Sequence, residues 1–389
     1  MTIDIDRLCS SVRKVMGQPE GPLPLHIPTF SKNAETYALQ CVTTGWVSSV
    51  GKYVDQFEEM LASYTGVERA IAVVNGTSAL HVALLLCGVQ PNDEVLLPAL
   101  TFVATANAVS YCHATPNFID VSTSTLGVDA AKLEQYLDAH FELREGVCYN
   151  GKTGNPVRAL IGMHAFGHPF DVAGVKKVCD KYNLKLIEDA AESIGSFYRG
   201  KHTGGLADVG IVSFNGNKTI TTGGGGAILV NDQSLGDQAK HITTTGKIPH
   251  PYRYVHDVIA YNYRMPNINA ALGVSQLEDL EAIVENKRAI AARYIDAFSN
   301  ETDFQVLVEP KECRSNYWLN AIILNNALAD QQDAIIKGFH ERQIFVRPIW
   351  EPLHQLSMFE NCPQMDLSNT VDLASRVINL PSTPTMESA

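Results

Sequence analysis

One lysine in a segment of small and polar residues is the first candidate for chemistry in this sequence. Lys218 lies five residues after Ser213 in SFNGNKTITTGGGG (213–226), a segment that ends in four consecutive glycines. A lysine forms Schiff bases once desolvation or neighbouring positive charge lowers the pKa of its amine, and glycines let the backbone pass close to a ligand. Because most lysines are solvated surface groups, this segment alone leaves an ordinary surface lysine as the alternative.

A glycine and two hydroxyl residues form a second candidate site. The segment VVNGTSALHVALL (73–85) contains an apolar run that ends at Asn75. A helical pattern then begins with Gly76, Thr77 and Ser78. Free N–H groups at the start of a helix, two hydroxyls and a glycine that permits close approach suit a phosphate. Ordinary helix capping explains the threonine and serine equally well.

An aspartate follows an apolar run in LIEDAAES (186–193). Asp189 lies at the carboxyl end of the predicted strand, where open α/β sheets bind their ligands. A lone buried carboxylate is costly, so it needs a partner such as a protonated heterocyclic nitrogen; a helix N-cap is the alternative. Together with a phosphate on the helix start and an aldehyde on Lys218, this arrangement predicts pyridoxal 5′-phosphate (PLP) as the cofactor.

The residues around these segments predict an α/β fold. Short apolar runs alternate with helical patterns, and several runs are nearly continuous Val, Ile and Leu, as in strands buried on both faces of a mainly parallel sheet. The predicted strands are 70–74, 94–97, 117–120, 159–163, 184–188, 210–214 and 227–230.

The pattern changes near residue 265, and this change predicts two domains. Residues 267–293 form one long amphipathic helical stretch that leads into a smaller α+β part. We therefore predict a large α/β domain over 25–265 and a small C-terminal α+β domain over 266–389. The N-terminal segment 1–24 could pack on either domain.

Composition excludes several classes of protein. The 389 residues carry 30 Lys and Arg against 42 Asp and Glu, a net charge of −12, whereas nucleic-acid binding needs a basic face. No apolar run is long enough to span a membrane, and the N-terminus lacks a signal-peptide pattern. Eight scattered cysteines without CxxC or metal-ligand spacing are typical of a cytoplasmic enzyme with reduced thiols. We predict no metal site.

Seven segments carry a resemblance to a known family. They are GWVSSVGKYVDQFE (45–58), NGTSALHVALLL (75–86), PALTFVATANAV (98–109), HAFGHPFD (164–171), EDAAESIGS (188–196), SFNGNKTITTGGGGAI (213–228) and YNYRMPNINAALG (261–273). Through them the chain resembles the DegT/DnrJ/StrS family of sugar aminotransferases over residues 25–382. The resemblance implies an aspartate-aminotransferase-like large domain, known as PLP fold type I.

The resemblance also implies roles for individual residues. Lys218 matches the lysine that bonds the cofactor and moves protons, and Asp189 matches the partner of the pyridine nitrogen. The other matched cofactor contacts are Phe102 on the ring, Gly76, Thr77, Ser78 and Ser213 on the phosphate, and Asn262 on the phosphate of a neighbouring subunit. The last of these implies a homodimer with shared active sites. Glu192 stands where many members have Gln or His near the phenolic oxygen of the cofactor.

Transamination is the reaction that the resemblance implies, with glutamate as the amino donor and a nucleotide-linked keto sugar as the acceptor. A related branch of sugar dehydratases carries His in place of the lysine. A non-catalytic regulator on the same fold is a further alternative. The presence of both Asp189 and Lys218 in this chain favours transamination over dehydration and over a non-catalytic role.

The segments 45–58, 99–112 and 213–226 are most similar to the subgroup that feeds legionaminic acid and bacillosamine-type sugars. This similarity implies amination at C4 of UDP-2-acetamido-2,6-dideoxy-hexos-4-ulose. GDP- or dTDP-linked 4-keto sugars, as in perosamine formation, are the alternative. The candidate substrate contacts are Trp46, Ser48, Lys247, His250, Arg253 and Arg264. The cations among them would balance the sugar diphosphate, although solvated surface charge explains each except Arg264 about as well.

Replacing Lys218 with alanine tests the central assignment. We expect Lys218→Ala to bind PLP without the Schiff-base absorbance band at about 410–430 nm and to lose turnover, because the amine that bonds the cofactor is gone. The wild-type protein should show the band in a spectrophotometer and lose it on borohydride reduction. A wild-type protein that stays colourless with added PLP would contradict the assignment.

Overall fold

Residues 3–18 and 20–384 are described by a computed structural model of the chain. Within them the α-helices are α1 Ile5–Met16, α2 Lys32–Thr44, α3 Lys52–Thr65, α4 Gly76–Leu86, α5 Val103–Tyr111, α6 Ala130–His140, α7 Val172–Lys181, α8 Gln233–Thr243, α9 Asn267–Glu278, α10 Leu280–Ala297, α11 Gln332–Glu341 and α12 Ser368–Ala374. The strands are β1 Arg69–Val73, β2 Glu94–Pro98, β3 Thr115–Ile119, β4 Phe141–Arg144, β5 Val147–Asn150, β6 Pro156–Met163, β7 Lys185–Asp189, β8 Phe197–Tyr198, β9 Lys201–His202, β10 Val209–Ser213, β11 Gly226–Val230, β12 Lys247–Ile248, β13 Val255–His256, β14 Phe304–Val306, β15 Cys313–Arg314, β16 Asn320–Leu324, β17 Arg347–Pro348 and β18 Val377–Leu380.

A nine-stranded sheet is built from strands between residues 69 and 230. Its main path runs β1-β11-β10-β7-β6-β2-β3, and β4 and β5 extend it beside β6. The strands from β10 to β3 along this path pair in parallel, whereas β11 runs antiparallel to both β1 and β10. All seven predicted strands lie in this sheet, with small shifts at their ends. The predicted α/β fold with a mainly parallel sheet is therefore confirmed.

Helices cover both faces of the large sheet, and the alternation of strand side chains decides which helices meet which residues. On one face α4, α5 and α8 pack against side chains such as Ile71 and Ile161. On the other face α3 and α9 pack against residues that include Leu229, and α6 and α7 against residues that include Leu160. Strands covered on both faces need apolar residues at successive positions, which explains the continuous apolar runs in the sequence.

A second sheet lies in the C-terminal part of the chain. Its strands follow the order β14-β16-β18-β17, and all its pairs are antiparallel. One hydrophobic core joins this sheet to α1, α10 and α11, with Val12, Ile322 and Phe339 fully buried in it. The structure thus places the N-terminal helix, which the sequence left unassigned, on the C-terminal part.

The predicted long helix over 267–293 is two helices. α9 ends at Glu278 and α10 begins at Leu280, with Asp279 between them at φ −95° and ψ −5°. The two helices serve different cores: Val274 of α9 packs with the large sheet, and Tyr294 of α10 packs with the second sheet. A break at Asp279 lets each helix present its apolar face to its own sheet.

The predicted domain limits stay predictions, and their ends at residues 1 and 389 lie outside the described residues. α9 follows the predicted boundary at 265 and nevertheless packs in the core of the large sheet, beside Phe57 and Phe214. Within residues 3–18 and 20–384, no helix combines the length and the hydropathy needed to cross a bilayer.

Candidate active site

A cavity of about 450 Å³ opens at the carboxyl edge of the large sheet. The parallel strands β7, β10 and β1 all end at this edge, so residues that are far apart in sequence meet there. The cavity is lined by seven of the predicted cofactor residues, which are Gly76, Thr77, Phe102, Asp189, Glu192, Ser213 and Lys218.

The start of α4 forms one wall of the cavity. Asn75 caps the helix, and its Oδ1 accepts a hydrogen bond from the backbone N–H of Ser78 at 2.8 Å. Ser78 is buried behind this cap and does not line the cavity, whereas Gly76 and Thr77 belong to the first turn, whose N–H groups lack partners within the helix. The hydroxyl of Ser213 lies next to Gly76, because a Cβ on that glycine would come 3.3 Å from the Ser213 Oγ.

A glycine in β11 allows the helix start to sit this close to the sheet. A Cβ on Gly226 would lie 2.6 Å from the carbonyl carbon of Asn75 and 2.7 Å from the nitrogen of Gly76. Real Cβ atoms do not approach so closely, so any larger residue at 226 would push the first turn of α4 away. The last glycine of the 223–226 run therefore supports the anion-binding geometry indirectly, through packing.

Asp189 is buried at the end of β7, with 3% of its surface exposed. Its Oδ2 accepts a hydrogen bond from the Thr105 hydroxyl at 2.9 Å, and its Oδ1 accepts from the backbone N–H of Ala191 at 3.2 Å. Burial raises the pKa of the Asp189 carboxyl, while the two donors favour its charged form. A carboxylate oriented in this way can hold a protonated ring nitrogen.

Lys218 lies in the loop between β10 and β11, beside a second buried carboxylate. Its Nζ is 3.1 Å from Oε1 of Glu192 and 4.0 Å from the centre of the Trp318 ring. The other oxygen of Glu192, Oε2, accepts the backbone N–H of Phe166 at 2.9 Å. The lysine amine thus lies between an anion and an aromatic face, where it is largely shielded from water.

Phe102 is the N-cap residue of α5, and Thr105 lies one turn further along. Phe102 is half exposed in the single chain and lines the cavity, a position that leaves its ring free to cover a ligand. Sequence reasoning singled out Phe102 but missed Thr105, whose partner Asp189 lies 84 residues away.

Asn316 is a structural residue of the site that sequence reasoning missed. Its Nδ2 donates to the backbone carbonyls of Glu192 and Ile194 at 2.9 and 2.8 Å, and its Oδ1 accepts the N–H of Trp318. The indole N–H of Trp318 in turn donates to the carbonyl of Asn217 at 2.7 Å. These bonds tie the C-terminal part of the chain to the loops that carry Glu192 and Lys218. Trp318 and Trp350 both lie in the cavity wall.

The remaining predicted residues lie outside this cavity. Lys247, His250 and Arg264 border another cavity, of about 540 Å³, and Trp46 borders a third. Ser48, Arg253 and Asn262 are exposed in the single chain. Arg264 Nε donates to the side-chain oxygen of Asn262 at 3.0 Å, and the N–H of Arg253 donates to His250 Nδ1 at 2.9 Å. One chain therefore does not bring these residues to Lys218.

The cavity residues fit PLP in three respects. The first turn of α4 with Ser213 suits a phosphate, buried Asp189 suits a protonated ring nitrogen, and Lys218 offers an amine for the aldehyde. The glycines at 76 and 226 let the start of α4 lie close to Ser213 and to β11. No group of three His, Cys, Asp or Glu side chains within the described part of the chain could hold a metal ion.

Substitutions at two glycines test whether the position of the start of α4 controls phosphate binding. Gly226→Ala should displace the start of α4 and weaken PLP binding roughly tenfold, about 1.4 kcal/mol, measured by absorbance titration of the apoprotein. Gly224→Ala is the matched control, since its Cβ would meet nothing closer than the Val74 carbonyl at 4.0 Å. Equal affinities in the two variants would contradict this account of the site.

Comparison with known proteins supports the same conclusion. The family model described as the DegT/DnrJ/EryC1/StrS aminotransferase family matches residues 28–389. GDP-perosamine synthase of Escherichia coli O157:H7 is 36% identical over 364 residues, covering 94% of either chain. The Vibrio cholerae enzyme of the same name is also 36% identical, over 93% of this chain and 94% of its own. Among solved structures, a DegT DnrJ EryC1 StrS aminotransferase from Brucella abortus matches with a TM-score of 0.81 and 28% identity over 91% of each chain.

These matches span nearly the whole chain, and they confirm the family resemblance carried by the seven sequence segments. They also confirm the cofactor deduced from Lys218, Asp189 and the start of α4. The chain belongs to the DegT/DnrJ/EryC1/StrS aminotransferase family and is a PLP-dependent aminotransferase of fold type I.

Proposed function

We propose that this enzyme transfers an amino group from glutamate to C4 of a nucleotide-linked 4-keto-6-deoxy sugar, with a GDP-linked sugar as the first candidate. The observation that carries the proposal is the 36% identity to two GDP-perosamine synthases over more than 90% of the chain. The UDP-2-acetamido sugar expected from the sequence motifs has less support, because these relatives are named for the GDP-linked product. It is retained as the second candidate, ahead of a dTDP-linked sugar.

The cavity residues provide the steps that such a transfer requires. When bound, PLP supplies an aldehyde that takes up the amino group and a ring that accepts the electron pair of the neighbouring carbon. Asp189 would keep the ring nitrogen protonated and so maintain that electron sink. Lys218 Nζ would remove a proton from the carbon of the donor and return it to the carbon of the sugar. Trp318 and Glu192 hold this amine in place.

Charge balance supports a second subunit at the site. Lys218 is the only cation among the described residues that line the cavity, yet a cofactor phosphate, a sugar diphosphate and a glutamate all carry negative charge. We propose a homodimer in which Asn262 of each chain reaches the cofactor phosphate of the other. The cationic loop, defined as Lys247, His250, Arg253 and Arg264, would then face the sugar nucleotide of the partner subunit.

Exposed apolar side chains also favour a dimer. Tyr252 and Tyr254 beside the cationic loop are 78% and 83% exposed, and Ile259 is 90% exposed. Trp46, a candidate substrate contact, is 58% exposed. Concentrated exposure of large apolar residues marks an interaction surface, and covering this one would bring the cationic loop against another chain.

The cytoplasm is the compartment that we propose for this reaction. All eight cysteines are free thiols, and six of them are buried. Proteins that keep their thiols reduced are typical of the cytoplasm rather than of oxidising compartments.

A substrate screen tests the reaction and the acceptor together. PLP-loaded enzyme and glutamate are incubated with GDP-, UDP- and dTDP-linked 4-keto-6-deoxy sugars, and products are measured by mass spectrometry. We expect an aminosugar and an equal amount of 2-oxoglutarate, fastest with the GDP-linked sugar, and neither product with Lys218→Ala. Loss of a sugar hydroxyl without amination would indicate a dehydratase, and no reaction with any of these sugars would contradict the proposed acceptors.

Asn262→Ala tests the shared site. We expect weaker PLP retention on dialysis, with the dimer intact in sedimentation velocity, because the partner's contact to the phosphate is lost. Asn300→Ala, at an exposed position after α10, is the control and should retain PLP as wild type does. A wild-type monomer in sedimentation would contradict the homodimer.

A further inference from the structure

Glu192 is a buried carboxylate whose two oxygens take different donors. Only 2% of its surface is exposed. Oε2 accepts the backbone N–H of Phe166 at 2.9 Å, and Oε1 lies 3.1 Å from the Nζ of Lys218. A neutral glutamine could accept one of these bonds, but only a carboxylate offers two equivalent acceptors and a negative charge to the lysine.

The surrounding backbone is arranged to keep this carboxylate in place. Phe166 has φ 56°, a left-handed conformation that is uncommon for a large residue, and in it the Phe166 N–H reaches Oε2. The backbone carbonyl of Glu192 accepts a hydrogen bond from Asn316 Nδ2 at 2.9 Å. Both the side chain and the main chain of Glu192 are therefore held, and the distance to Lys218 is set by packing.

Few other charges act on the Lys218 amine. Asp189 is the second buried carboxylate of the cavity, and its oxygens accept hydrogen bonds from the Thr105 hydroxyl and the N–H of Ala191. His26 also interacts with Lys218, and burial lowers its pKa well below its ordinary value, so it is neutral at physiological pH. The face of Trp318 covers the amine at 4.0 Å. Among the described residues, Glu192 is thus the acidic side chain in direct contact with Nζ.

We propose that Glu192 remains ionised and, once the Lys218 nitrogen has bonded to the cofactor, holds a proton on that nitrogen. When Nζ condenses with the aldehyde of PLP, Lys218 first releases one proton to water, and its neutral amine then forms a C=N bond in place of the C=O bond. The two remaining amine hydrogens leave with the oxygen as water. One proton from water then binds the nitrogen, where it would face Oε1. A protonated nitrogen makes the attached carbon more electrophilic. Glu192 therefore prepares that carbon for attack by the incoming amine of the substrate.

The electrostatics support this role. Burial raises the pKa of the Glu192 carboxyl, while the Lys218 charge and the N–H of Phe166 oppose that rise. The charge of Lys218 thus favours the ionised form of Glu192. Removing the anion removes the Coulombic stabilisation of the protonated nitrogen, so the pKa of that nitrogen must fall.

The test is a pH titration of the visible absorption band of PLP-loaded enzyme, since protonation of the Lys218 nitrogen changes this band. Glu192→Gln has nearly the same shape and can still accept the Phe166 N–H. We expect its titration midpoint to fall by about one to three pH units relative to wild type. Glu142→Gln, which neutralises an exposed carboxylate on β4, is the control and should titrate as wild type does.

Glu192→Asp provides a second variant if Glu192→Gln folds or binds PLP poorly. It keeps the charge but withdraws it by one methylene, so its midpoint should lie between those of wild type and a neutral variant. Far-ultraviolet circular dichroism and thermal unfolding would establish that each variant is folded. A midpoint at or above the wild-type value in either folded, PLP-loaded variant would overturn the proposal.

Discussion

Two carboxylates, Asp189 and Glu192, are buried beside a single lysine at the carboxyl edge of the large sheet. Burial of an unpaired carboxylate is costly, so each of them must be supplied with donors. Asp189 accepts hydrogen bonds from the Thr105 hydroxyl and the backbone N–H of Ala191. Glu192 accepts them from the backbone N–H of Phe166 and the Nζ of Lys218. Much of the local structure follows from this requirement, including the left-handed backbone of Phe166.

The loops that carry Glu192 and Lys218 are also held by residues from the C-terminal part of the chain. Asn316 and Trp318 follow β15 and contact the loops that carry Glu192 and Lys218. Gly167 lies at the same junction, and a Cβ there would come 1.8 Å from Asn316 Oδ1. The C-terminal part of the chain is therefore a structural component of the active site as well as a separate sheet with its own core.

Several features of the fold and site could be predicted because they depend on local sequence. Strands buried on both faces must be apolar throughout, which is why all seven were found. The same apolar runs placed Asp189 and Ser213 at the ends of strands and Lys218 in the loop that follows Ser213. Thr105 and Asn316 could not be found in this way, because their partners lie 84 and more than 90 residues away. The break at Asp279 was missed because helix propensity and the amphipathic pattern continue through this residue. The break is needed only because α9 and α10 pack against different sheets.

The sequence by itself determined the chemistry: a lysine, an acid for a ring nitrogen, a helix start for a phosphate, and the motifs of an aminotransferase family. These depend on residue type and spacing along short segments, which sequence retains. Only the tertiary structure decided that Glu192 contacts the Lys218 amine and that Asn316 joins the two halves. It also placed the cationic loop away from Lys218 in the same chain. Such contacts depend on distances between segments remote in sequence, and these distances exist only once the sheets and their helices have packed.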